Sequence, residues 1–147
     1  MSRVLVIGID GGTFDLIRPW AEEGHLPHFA RLMEEGASGP LESTLPPVTS
    51  PAWPTFSTGK NPGKHGVFDF IRPTGGEFDL VNSTSIDART LWQVLSDAGR
   101  SVGVINVPVT YPPTPVNGFL VSGMLSPHSG HISYPDDLLS AYQDELG

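Results

Sequence analysis

Residues Arg3 to Ile9 form a nearly continuous β-branched and leucine run that stops at Asp10-Gly11-Gly12. A run without polar alternation predicts a strand buried on both faces, as in a parallel sheet. The signal returns at Ser101 to Val107. Between the two lie helical patterns. Pro27 to Glu35 places Phe29, Leu32 and Met33 on one face, with Gly36 as the residue that ends the helix. Thr90 to Ala98 carries Leu91, Val94, Leu95 and Ala98 at helical spacing, with Asp87 ahead of it as the expected cap. Phe14, Leu16, Ile17 and Trp20 have mixed spacing, and Pro19 and Gly24 limit any helix there. Alternation of strand and helix predicts an α/β fold: a mostly parallel sheet with flanking helices. Residues 72–85 and 108–134 are expected to be loop excursions, the first an excursion or a hairpin. A closing helix is expected over residues 136–146.

The length of 147 residues suits one domain with a real core. No cysteine is present, which removes disulfides and thiolate chemistry and is compatible with a reducing compartment. No apolar run is long enough for a bilayer span, and Val4 to Ile9 is too short and lacks the cleavage site of a signal peptide. A cytoplasmic protein without a membrane partner is therefore expected. The net charge of -8 argues against nucleic-acid binding. It fits either cation binding or simple solubility.

Two positions invite chemistry. Thr49 and Ser50 stand directly before Pro51. Proline favours the first helical position, so Ser50 is the expected N-cap and Thr49 lies at the helix mouth, where an anion is welcome. Thr49 is either part of a cap or a nucleophile awaiting a base or metal. Asp10 follows a strand pattern at the end where α/β sheets bind ligands. It is either a metal or phosphate-handling carboxylate or a cap for the next segment, and the sequence alone leaves this open. His25, His28, His128 and His131 read as solvated or loop residues, whereas His65, in a glycine-bordered loop, can approach an anion. Lys60 and Lys64 either add positive charge near the hydroxyls or belong to a solvated turn.

Asp10 after its apolar run, Thr49, Thr58-Gly59 and His65-Gly66 together resemble the alkaline phosphatase superfamily, and within it the type I phosphodiesterase and nucleotide pyrophosphatase group. Pro46-Pro47-Val48-Thr49-Ser50-Pro51-Ala52-Trp53 and Gly59-Lys60-Asn61-Pro62-Gly63-Lys64-His65-Gly66 resemble its branch of phosphohydrolases or phosphomutases. The likeness continues through Gly103 to Pro108 and Tyr111-Pro112-Pro113. It implies a metal-dependent phosphoester hydrolase or phosphotransferase with a phosphothreonine intermediate. Asp10 matches a metal ligand, and Thr49 matches the nucleophile and a metal contact. Ser50, Lys64 and His65 are expected at the substrate. The cofactors implied are two divalent ions, zinc or manganese.

Where the diesterase group carries a phosphate-binding asparagine, three residues after the nucleophile, this chain has Ala52. The group's later Asp-x-x-x-His motif, Asp-His pair and further histidine do not occur by Gly147. The chain is thus expected to be the amino-terminal part of an alkaline phosphatase-like catalytic domain, inactive alone. Its partners would be the missing carboxy-terminal portion, a phosphoester substrate and an oligomeric copy. Gly8 to Thr13 also resembles the first phosphate loop of the actin and sugar-kinase class, which requires a hairpin strand immediately afterwards. The other alternative is a non-catalytic interaction module.

Overall fold

The computed structural model describes residues 3–128 and 130–140. These fall into two compact units, Met1–Glu42 and Ser43–Gly147. The first unit holds helices α1 (Phe14–Glu22) and α2 (Pro27–Glu35). Thr13 caps α1, its hydroxyl accepting from the Asp15 N–H at 3.2 Å, and the helix continues through Pro19. The segment after Gly12 is therefore helical, not the hairpin strand a kinase-type phosphate loop requires. α2 has the predicted bounds, with Pro27 at its first turn and Gly36 as C-cap. Phe14, Ile17, Phe29, Leu32 and Met33 line one apolar groove.

The predicted strand over residues 3–9 does not form among the described residues. Val4 and Leu5 are 87% and 83% exposed. A run apolar on both faces needs ladder partners and cover on each side. The first unit contains α1 and α2 but no second strand to provide them among the described residues.

The second unit begins with α3 (Thr49–Thr58) and the single-turn α4 (Pro62–His65). A hairpin follows, β1 (Ile71–Thr74) against β2 (Glu77–Leu80), antiparallel. Of the two expectations for residues 72–85, the hairpin is the one observed. After α5 (Leu91–Asp97) comes a three-stranded sheet of β3 (Val102–Val107), β4 (Gly118–Ser122) and β5 (Ser133–Tyr134), in the order β3-β4-β5. β3 and β4 run parallel, and β5 runs antiparallel to β4. The fold is mixed α/β with small sheets.

α5 is capped by Thr90, not by Asp87. The Gln93 side chain returns to the Thr90 N–H at 2.9 Å, completing a reciprocal capping box. Its Trp92 packs with Val104, Val116 and Leu120 in one apolar cluster. A second cluster joins Val67, Val81 and Val109. Residues 108–134, expected as a loop, contain β4 and β5. Leu120, only 1% exposed, makes β4 part of the core. The helix expected over 136–146 lies largely outside the described residues, and residues 136–139 form a turn. No described helix is long and apolar enough to cross a membrane.

Candidate active site

α3 starts one residue earlier than its proline suggests. Val48 is the N-cap, with extended backbone at φ -121° and ψ 149°, so Thr49 is the first helical residue. Pro51 then falls third, where a missing N–H is equally harmless because the first helical N–H groups have no intrahelical carbonyl. Ser50 consequently does not cap. Its side chain is fully buried, and Oγ has no hydrogen-bond partner among the described residues. Thr49 is half-buried at the helix mouth.

The body of α3 is short of its own hydrogen bonds. Pro54 has no N–H to donate and sits inside the helix. The Thr58 and Ser57 hydroxyls both turn back to the Pro54 carbonyl, at 2.6 and 3.2 Å. Gly59 ends the helix in the left-handed region at φ 64° and donates to the Thr55 carbonyl at 2.8 Å. Tertiary contacts therefore matter more than usual for this helix.

One such contact comes from His65, the last residue of α4. The ring is fully buried. Nε2 lies 2.9 Å from Thr55 Oγ1, and Nδ1 accepts the Val67 N–H at 3.2 Å. A ring whose Nδ1 accepts a hydrogen bond is neutral and protonated on Nε2, so Nε2–H donates to Thr55. Burial pushes the His65 pKa below its usual 6.5, while hydrogen bonding to its own backbone and that of Pro51 acts in the opposite direction. Gly66 follows at φ 81°, and the His65 carbonyl accepts from the Asp87 N–H at 2.9 Å. The His65 ring, expected at the substrate, is enclosed, with both nitrogens engaged inside the second unit. Lys64, one residue earlier, is exposed.

Asp10 belongs to the first unit. It is exposed in a turn closed by the Gly12 N–H on the Ile9 carbonyl at 3.2 Å, with Gly11 at φ 68°. Of the expected site residues, Thr49, Ser50, Lys64 and His65 share the second unit. Sequence reasoning missed Thr55, whose pairing with His65 leaves no mark in any local pattern.

Asp10 and Thr49 offer a carboxylate and a hydroxyl, oxygen donors suited to a divalent cation. They are too few to build a centre. Among the described residues no group of three or more His, Asp or Glu side chains could hold a metal ion. His25 and His131 make exposed pairs with Glu23 and Asp136 at 3.5 and 3.6 Å.

No curated protein and no solved structure matches the chain. The family model for type I phosphodiesterase / nucleotide pyrophosphatase matches residues 4–146, a span that extends over most of both units and includes Asp10, Thr49, Ser50, Lys64 and His65. That match, with a hydroxyl residue opening α3, is why we conclude that the chain belongs to the type I phosphodiesterase / nucleotide pyrophosphatase family.

Proposed function

We propose that the chain serves phosphoester hydrolysis or phosphoryl transfer with Thr49 as the nucleophile. The observation that carries this reading is the placement of Thr49 as the first residue of α3, in a chain of this family. Thr49 Oγ would attack phosphorus, forming an O–P bond as the bond to the leaving oxygen breaks. The phosphothreonine would then pass its phosphoryl group to water or to an acceptor hydroxyl. The positive end of the helix dipole favours the charge that develops on the phosphoryl oxygens. Lys64, exposed on α4, is the proposed cationic substrate contact. Ser50 contributes through its backbone position, since its side chain is buried.

Asp10 and Thr49 are each proposed as a ligand to divalent metal, zinc or manganese. When bound, such ions neutralise phosphate charge and lower the pKa of the attacking hydroxyl. On this reading the 147-residue chain is inactive on its own.

The test is turnover of p-nitrophenyl phosphate and its bis-ester with Zn²⁺ or Mn²⁺. In a longer protein that carries this chain together with further carboxylate and histidine ligands, Thr49→Ala should cut the rate by about 10³-fold or more. It should also abolish a phosphoryl-enzyme visible by mass spectrometry after acid quench. Equal activity in the Thr49→Ala variant would exclude Thr49 as nucleophile.

A further inference from the structure

We infer that His65 is a positioning residue for the nucleophile helix: its neutral Nε2–H, held against Thr55, sets the seat of α3 and hence of Thr49. This rests on the functional reading above and adds to it the group that holds Thr49 in place.

Three observations converge on the ring. It is fully enclosed, although it follows the exposed residues Gly63 and Lys64 and precedes the exposed Gly66. The ring nitrogens are engaged on two sides, by Thr55 and the Pro51 backbone on α3 and by the backbone of Val67. Val67 is wholly buried against Val81 and Val109, so Nδ1 is tied to one of the unit's apolar clusters. The His65 backbone is fixed as well, its N–H donating to the Asn61 carbonyl at 3.2 Å and its carbonyl accepting from Asp87. His65 thus joins a rigid support, on the Nδ1 side, to a helix on the Nε2 side whose own ladder is interrupted at Pro54.

The contact also falls where it can act. Thr55 is six residues along from Thr49, less than two turns on the same short helix. A helix with proline at its sixth position cannot set its own height and rotation through a full hydrogen-bond ladder. A fixed donor at mid-helix does so from outside. The tautomer is what gives this direction: Nδ1 must stay unprotonated to accept from Val67, which leaves Nε2–H for Thr55.

The two amide variants divide the roles of the ring. His65→Gln places an amide nitrogen near Nε2 and keeps a donor for Thr55. His65→Asn places an amide oxygen near Nδ1 and keeps only the acceptor for Val67. Thr55→Val removes the hydroxyl at nearly constant shape, and Thr55→Ser retains it.

The experiment is ¹⁵N-resolved NMR on the full chain and these variants, with inorganic phosphate as the titrant. In the wild type, the His65 ring should show the Nε2-protonated neutral signature. Thr55→Ser should keep the Thr49, Ser50 and Ala52 amides at their wild-type positions, and His65→Gln, which keeps the donor for Thr55 but loses the acceptor for Val67, should move them less than His65→Asn. His65→Asn and Thr55→Val should move those amides and weaken phosphate binding at them by about tenfold, the scale of one lost hydrogen bond. If all four folded variants leave these amides unmoved, or if His65→Gln disturbs them as much as His65→Asn, the positioning role is wrong and His65 is only packing. If wild-type phosphate binding bypasses Thr49 while the amides divide as expected, the positioning role stands and the functional reading fails.

Discussion

Thr55 Oγ1 and His65 Nε2 lie 2.9 Å apart and join the middle of α3 to the last residue of α4. The other ring nitrogen is occupied by the Val67 N–H, so this single side chain links three stretches of the second unit. His65→Ala would leave the Val67 N–H buried without its acceptor and open a ring-sized void. Together these should lower stability by about 3 kcal/mol. Urea denaturation followed by circular dichroism measures this, and a loss below about 1 kcal/mol would show that the ring matters little to the fold.

The same enclosure makes stability depend on pH. Burial lowers the folded-state pKa of His65 below the ordinary 6.5. Between the folded and unfolded values the unfolded chain binds the proton and the folded chain does not. The contribution is therefore complete above about pH 6.5 and lost as pH falls below it, with a slope of at most about 1.4 kcal/mol per pH unit from this one group. Urea midpoints at pH 7.5 and 5.5 should fall in that order for the wild type. In His65→Gln the component below pH 6.5 should be reduced, and an identical pH dependence would mean that His65 does not titrate on unfolding.

Local chemistry makes some of this fold legible and leaves the rest hidden. α2 can be read because Pro27 and Gly36 punctuate it within its own segment. The cap of α5 is misplaced by sequence because Asp87 is a good cap by type, whereas Thr90 wins by pairing with Gln93 three residues on. Ser50 is misassigned for a related reason: proline is acceptable throughout the first helical turn, so Pro51 does not identify the starting residue. β4 escapes notice among prolines and glycine, since a short strand is defined by its neighbours, here β3 and β5. Residues 3–9 show the converse, a strong strand pattern without a partner strand among the described residues of its unit. His65 stands out in the sequence as a special residue, but the glycines on either side suggest exposure. Only tertiary packing on Val67 and Thr55 encloses it.

Glycine at two positions offers a contrast between conformation and space. Gly59 ends α3 at φ 64° with nothing near the place a methyl group would take, so Gly59→Ala should cost only the left-handed penalty of about 1–2 kcal/mol. At Gly123, a Cβ would run into the Val107 carbonyl and come within 2.6 Å of the Asn106 carbonyl carbon. Both obstacles are backbone of β3, which cannot swing aside. Gly123→Ala should cost more than Gly59→Ala in the same urea assay, and the reverse order would contradict the close approach of these two strand ends.

Thr49 carries the central claim, and a crystal structure of the chain grown with Zn²⁺ and phosphate tests it most directly. The expected result is phosphate at the amino end of α3 beside Thr49, and its loss in Thr49→Ala crystals. Phosphate bound only at other residues, or unchanged density in the Thr49→Ala protein, would contradict it.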